Sequence, residues 1–424
     1  MTQRHAGWTE LDRRHSWHPY TRHGIAGEPL PVVAAQGAWL ELADGRRLLD
    51  GISSWWACVH GHAHPRLVEV LSQQAKTLDH VLFAGCTHPP AAKLSYELIQ
   101  RAPSGLNRVF YSDNGSTAVE VALKASVQAM ARRGEPQRTC FIGLDGGYHG
   151  DTFGAMAVGD PIPFFGPFQA LLCPVERVSP NAAALLRCLE EHHQSIAAVI
   201  LEPIVQGAAG MRAVSVDFVR QARVLCDQFG VFLIADEVFT GFGRTGTFFA
   251  CEQAGITPDM VCLAKGLTNG MYPLAATLLT EEIFETFSGD DAGAMLLHGH
   301  TMTANPMGCA LALASLQLCD EIGVGQRYDT LGRQIEATLR QDTLVMQHAE
   351  LRRAGGIVAL ELHDSQAGYF SDLGERLKQA CMQLDVLLRP LGNVLYAIPP
   401  VCISEDEGQQ IAQAMLKACH RVLG

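Results

Sequence analysis

The chain has 424 residues, 48% of them hydrophobic and 18% charged, with a formal net charge of −12. Such a chain can bury a large core in one big α/β domain with an appendage, or in two domains, and disorder is excluded. The acidic balance leaves no electrostatic footing for nucleic acid, and no apolar run approaches the ~18 residues that a membrane span requires. The N-terminal twenty residues are polar and mixed in charge, unlike a secretion signal. Thirteen cysteines are scattered without a C-x-x-C pair; Cys140, Cys226 and Cys262 lie inside apolar runs, where a reduced thiol acts as a small hydrophobe. A soluble cytoplasmic protein is expected.

Taken in order, WHPYTRH around Tyr20 has no periodicity and reads as loop. Residues 38–42 and 46–49 alternate around an Asp-Gly turn, which predicts a hairpin. Trp55 and Trp56 follow on a non-helical stretch, where adjacent side chains diverge: one can pack inward while the other faces a cavity. His60, His62 and His64 read as loop rather than as metal ligands, because no carboxylate or cysteine stands at a suitable spacing. Helices are predicted over 65–78 and 90–99.

Strands and helices then alternate. A strand at 109–111 breaks at Gly115-Ser116 into a helix over 117–132, with Ala118, Val121, Ala122, Ala125 and Ala129 on one face. A strand, a Gly/Ser turn and a helix N-terminus can hold an anion; neither G-x-x-x-x-G-K-[ST] nor G-x-G-x-x-G is present. The strand TCFIGL leads into DGGYHGDTFGAM, whose glycines allow close backbone approach to a ligand and whose Tyr148 can cover a flat ring. AAVIL runs out to Glu202 and Gln206, and Phe218, Ala222, Leu225 and Phe229 mark a helix ended by Gly230.

The pivotal stretch is 231–265. VFLIADEV delivers Asp236 at the end of an apolar strand, and CLAKGL delivers Lys265 at the end of the next. Ligands bind at that edge of open α/β sheets, and a buried lysine must be neutral or covalently engaged. A plain salt bridge is one reading. The other is a Schiff-base lysine with an acid facing a pyridinium nitrogen, as pyridoxal phosphate chemistry requires. Residues 274–280 give another strand, and a helix from Pro306 bridges to a C-terminal α+β segment. That segment has a strand at 357–362, a helix at 370–384, a hairpin-like LLRPLGNVLYAIPP and a last helix at 405–423.

The motifs YSDNGSTAVEVALK, DGGYHGDTFGAM, LEPIVQGAAGM, LIADEVFTGFGRTG and LAKGLTNG stand between residues 111 and 270, and the resemblance they anchor runs over essentially the whole chain. With them the sequence resembles the class III (ω-amino) aminotransferases of the pyridoxal-phosphate fold-type I superfamily. The resemblance implies a large, mostly parallel sheet domain with helices on both faces (61–305), a smaller α+β domain (306–424) and an N-terminal segment (1–60) joining the latter. It implies pyridoxal 5'-phosphate as cofactor, Lys265 as its Schiff-base lysine, Asp236 against the ring nitrogen, Tyr148 on the ring and Gln206 near the 3′-oxygen. Gly115 and Ser116 are implied to hold the phosphate, with His300 and Thr301 reaching it from the other subunit of a homodimer.

WHPYT, SSWWACVHGH, HVLFAGCTH and RPLGNVLYAIPP resemble the biotin-biosynthesis branch of this class. The implied substrates are 8-amino-7-oxononanoate as acceptor and S-adenosylmethionine as donor, in a pocket of Tyr20, Trp55, Trp56, Gly299 and Tyr396. Arg389 is implied to bind a substrate carboxylate, which suits a bidentate guanidinium; Arg244 and Asp151 lie near without an assigned role. HGHTMTANP departs from the HGPTF usual in that branch, so His300 leaves the donor open between S-adenosylmethionine and lysine. Another ω-aminotransferase, acting on 4-aminobutyrate, ornithine or a polyamine, and an aminomutase on the same fold remain as alternatives.

Overall fold

Apolar runs without polar alternation make strands that are buried on both faces. Ile196–Leu201 and Phe232–Asp236 are of this kind, with every residue buried. In the computed structural model, which describes residues 6–22, 27–161, 165–363 and 372–423, they lie in a seven-stranded sheet. Its order is Leu106–Ser112, Ala275–Thr280, Met260–Leu263, Phe232–Asp236, Ile196–Leu201, Cys140–Leu144, Val175–Val178. Ala275–Thr280 runs antiparallel to both neighbours, and the remaining pairs are parallel.

Helices cover both faces. Leu94 and Leu98 of Pro89–Arg101 and Phe218, Val219 and Ala222 of Val216–Phe229 belong to the core on one side. Gly115–Arg132 supplies Ala118, Ala122, Ala125 and Ala129 to the core on the other. Its alanines let the helix lie close to the sheet, and the Ala118 carbonyl accepts bonds from Thr277 Oγ1 at 2.9 Å and Cys262 Sγ at 3.5 Å. Each fully buried Val, Leu or Ile here contributes about 2 kcal/mol.

The C-terminal part builds a three-stranded antiparallel sheet from Ala349–Ala354, Ile357–Leu362 and Val394–Ala397. Helices Val324–Leu339, Asp372–Met382 and Glu405–Leu423 pack with it around a second core. Near the N-terminus, Val32–Gln36, Trp39–Leu42 and Arg47–Asp50 form a meander that gains Val386–Leu387 as a parallel fourth strand. All thirteen cysteines are free thiols. Among the described residues no single helix is long and apolar enough to cross a membrane.

One expectation changes. The hairpin expected in LLRPLGNVLYAIPP does not form as a ladder: its arms join different sheets, Val386–Leu387 pairing with Leu49 and Asp50 and Val394–Ala397 with residues 358–361. Pro390 offers no amide donor, and only a bridge between Leu391 and Val394 remains. The helix expected over 370–384 is described from Asp372 to Met382; Phe370 lies outside the described residues. Elements not anticipated include helices Ala6–His15 and Ala182–His192 and the edge strand Val175–Val178. Asn181, whose Oδ1 caps Ala184 N at 2.9 Å, is the sequence signal that marked the second helix.

The tryptophan segment departs most from ordinary backbone. Ser53, Ser54, Trp55 and Trp56 have φ of 49, 43, 63 and 70°. Four successive non-glycine residues in the left-handed region cost roughly 1–2 kcal/mol each. As adjacency suggested, Trp56 is buried and Trp55 is 42% exposed.

Candidate active site

Parallel pairing sets Asp236 beside Cys262, and Lys265 stands three residues beyond Cys262, past the end of the same strand. Both therefore reach the carboxyl edge of the sheet, where they line a cavity of about 410 Å³. Gly115, Ser116, Tyr148, His149, Glu202 and Trp56 line it as well. Five expected strand ends thus converge on one chamber.

Lys265 sits at φ +41°, a strained conformation for a residue with a Cβ. Its Nζ has no hydrogen-bond or ion-pair partner among the described residues and lies 4.8 Å from the Trp56 ring centroid. Burial lowers its pKa to about 8, an effect that the charges of Asp236 and Glu202 only partly offset. The plain salt-bridge reading is therefore set aside. Asp236 is engaged elsewhere, its Oδ1 accepting from Val238 N at 3.0 Å and its Oδ2 from His149 Nδ1 at 2.7 Å.

His149 carries no local signal of a role, because its pairing with a residue 87 positions away exists only in the fold. Burial disfavours its imidazolium, yet the Asp236 bond and charge outweigh that and hold its pKa above the ordinary value. Beside it, burial pushes Glu202 up to about 7. Glu202 accepts from Gly207 N at 2.9 Å and Tyr148 N at 3.2 Å, which ties down the Tyr148 loop.

The helix Gly115–Arg132 points its N-terminus at the chamber. Asn114 and Thr117 close a capping box, Thr117 N donating to Asn114 Oδ1 and Asn114 N to Thr117 Oγ1, both at 3.1 Å. The amides of the turn lack intrahelical partners, as in any helix, and the end carries partial positive charge. The glycine loop crosses directly over it. Asp151 N donates to Ser116 Oγ at 3.1 Å, and a Cβ at Gly150 (φ +125°) would fall 1.9 Å from that oxygen.

Outside the chamber is an exposed rim, joined to it through Tyr148 and Trp56. Asp151 Oδ1 accepts from Tyr20 Oη at 2.6 Å and Tyr148 Oη at 3.1 Å, which gives Asp151 a place. Burial and then the Asp151 charge push the Tyr148 phenol well above its usual range. Tyr20 meets Trp55 edge-on at 6.3 Å, and the Arg389 guanidinium lies 4.2 Å over the Trp55 ring. Trp56 donates from Nε1 to Tyr396 Oη at 3.2 Å and packs on Phe239. Arg244 is fully buried, donates to the Trp56 carbonyl and lies 5.5 Å from the Tyr328 ring centroid; it props the tryptophan turn.

Tyr20, Trp55, Arg389 and Tyr396 thus stand outside the chamber lining, and four further expected residues reach neither the chamber nor the rim. Gln206 is buried behind it: its amide donates to the Asp145 carbonyl at 3.2 Å and accepts from Arg212 Nε at 2.7 Å. Gly299, His300 and Thr301 lie on the segment before Pro306–Ile322 and do not line this chain's chamber. Conversely Asp113, Val238 and Tyr272 line it without having been expected.

The family model for class III aminotransferases matches residues 22–419. The chain is 47% identical over 419 residues to the adenosylmethionine-8-amino-7-oxononanoate aminotransferase of Synechococcus elongatus, covering 95% of this chain and 97% of that protein. The crystal structure of a protein of the same name from Methanocaldococcus jannaschii superposes with a TM-score of 0.93 at 33% identity, over 98% of each chain. An amine transaminase from an uncultivated Pseudomonas species, solved with pyridoxal phosphate bound, superposes with a TM-score of 0.89 at 32% identity, over 96% of this chain and 98% of its own. With its cavity built from a buried lysine, an acid and a helix N-terminus, this chain belongs to the class III aminotransferases.

Proposed function

We propose that this enzyme transfers an amino group from S-adenosylmethionine to 8-amino-7-oxononanoate, giving 7,8-diaminononanoate, with pyridoxal phosphate as cofactor. The observation that carries the chemistry is Lys265, a buried amine with a lowered pKa and no partner among the described residues, at the floor of a chamber that Asp236 also lines. The choice of substrates rests on the near full-length likeness to the Synechococcus elongatus protein.

The donor set fits the cofactor. Lys265 Nζ is available for a covalent bond, Asp236 can face a ring nitrogen, Tyr148 can cover the ring, and Gly115 and Ser116 at the helix end can hold the phosphate. When bound, the cofactor supplies a carbonyl that bonds amines and a ring that accepts an electron pair. Lys265 would hold the cofactor and, as a neutral amine, could move a proton to and from the substrate carbon. Asp236 would hold the ring nitrogen in its protonated form, and the His149 Nδ1 bond orients the carboxylate for that task. Aromatic faces at the rim attract a sulfonium and pack equally against methylenes, so one pocket can take both substrates in turn. Arg389, lying over the Trp55 ring, can pair with a substrate carboxylate.

The proposal includes a homodimer in which Gly299, His300 and Thr301 complete the phosphate end of the partner's chamber. Exposed Met295, Leu297 and Met302 flank that segment and offer it an apolar contact face. A cytoplasmic location accords with thirteen free thiols, and neither nucleic acid nor membrane enters the reading.

The test is a donor assay: purified enzyme, pyridoxal phosphate and 8-amino-7-oxononanoate, with S-adenosylmethionine or lysine supplied separately. Diamine formed with S-adenosylmethionine is expected. Diamine with lysine alone reassigns the donor, and no diamine with either overturns the assignment. Loss of the rim's selectivity in favour of simple amines would support the ω-transaminase alternative instead.

A further inference from the structure

The left-handed turn Ser53–Trp56 positions both tryptophans, yet none of its four residues is a glycine. Something outside its backbone must select that form. Trp56 N and Ile52 O close one bond at 2.9 Å, and Ala57 N and Cys58 N both donate to Ser53 O, at 2.9 and 3.0 Å. Ser53 Oγ donates to Ile398 O at 2.7 Å. Arg244 donates to the Trp56 carbonyl at the turn's end, and the entry is held by one fully buried carboxylate. Asp50 Oδ1 accepts from Ile52 N at 3.2 Å, while Oδ2 accepts from Ser54 Oγ and from His62 Nε2, both at 2.8 Å. It grips the entry to the turn, its second residue and a residue beyond its end.

His62 is itself fixed. Its backbone pairs with Gly37 through two bonds, of 2.6 and 3.0 Å, and its Nδ1 lies 3.8 Å from Cys58 Sγ. The Asp50 bond, then the Cys58 contact, raise its pKa to about 10. At neutral pH the imidazole therefore stays protonated, and removing His62 would strip the buried Asp50 Oδ2 of one of its two partners.

We propose that the Asp50–His62 pair is a positioning device that holds the Ser53–Trp56 turn in its left-handed form and thereby sets where Trp55 and its stacked Arg389 meet substrate. Neither residue lines the chamber, and neither touches the reacting atoms. Only the kinetic arm of the test depends on the function proposed above.

The cofactor-loaded full-length H62L enzyme should show KM raised about tenfold for both substrates with kcat within about twofold, because the pair governs placement rather than chemistry. The cofactor absorbance should be unchanged, while the near-ultraviolet circular dichroism of the tryptophans, read without substrate, should weaken. H62Q, which keeps an N–H for Asp50, should bring KM back to within about threefold of wild type. A purely structural role predicts a lower Tm with KM and dichroism unmoved, and that result overturns the proposal. If H62L does not accumulate folded, S54A takes its place with the same two readouts, and wild-type values in both overturn it. A wild-type enzyme inactive on both substrates refutes the functional reading, and the dichroism arm then decides this proposal by itself.

Discussion

The floor of the chamber and its rim are built on opposite principles. Asp236, Lys265 and Glu202 stand at the ends of buried strands, so the sheet's register fixes their places. The rim gathers Tyr20, Trp55, Asp151 and Arg389 from loops 35 to 369 residues apart in sequence, held by side-chain bonds, ring contacts and one strained turn. The floor buys rigidity with burial, and its reward is perturbed acid–base groups. The rim leaves Tyr20 and Trp55 exposed beside the charges of Asp151 and Arg389, a mixed surface suited to two unlike substrates. On the function proposed above, chemistry belongs to the floor and selection to the rim.

That division can be broken in graded steps. Lys265→Ala at the floor should abolish the cofactor's covalent band near the visible region and cut turnover by ~10⁴-fold or more; a surviving band would refute the lysine's role. Asp236→Asn should keep the band but lower kcat by about 10²–10³-fold, since the lost charge acts in the transition state. A rim change should behave differently. Tyr20→Phe removes one of two bonds on Asp151 and should raise KM by about three- to tenfold with little change in kcat; an equal loss in kcat would erase the distinction.

The smallest effect is one of pH. Burial lowers Lys265 from 10.5 to about 8, so between those values the unfolded chain binds more protons than the folded one. Stability then rises with pH across that window. The Tm advantage of apo Lys265→Met over the apo wild type should accordingly be largest below pH 8 and shrink toward pH 10. Recapture of pyridoxal phosphate by apo wild type should accelerate up to about pH 8 and then level off. A midpoint near 10.5 would place the amine in water.

Much of the floor was legible because it is written in short range. Apolar runs ending on Asp236 and Lys265, and a Gly/Ser turn opening a helix of alanines, each carry their meaning within a few residues. The rim was legible only through resemblance, since nothing local in WHPYT or RPLGN tells that Arg389 lies over Trp55. His149 escaped notice because its partner is another strand's acid. The expected hairpin around Pro390 failed because local alternation does not say which sheet a strand joins; Leu49 and Asp50 offered an open edge to Val386–Leu387.

By itself, then, the sequence determined the alternation of strands and helices, the acid and amine at adjacent strand ends, and an anion-binding helix start. These follow from hydrophobic period and chain-neighbour chemistry, which need no knowledge of the fold. The tertiary structure alone decided that Asp236 leans on His149 rather than on Lys265, that Gln206 turns to Asp145 and Arg212, and that Asp50 and His62 clasp the tryptophan turn. Each of those depends on groups distant in sequence meeting in a space where water is excluded, and there an unpaired polar atom is costly enough to dictate its partner.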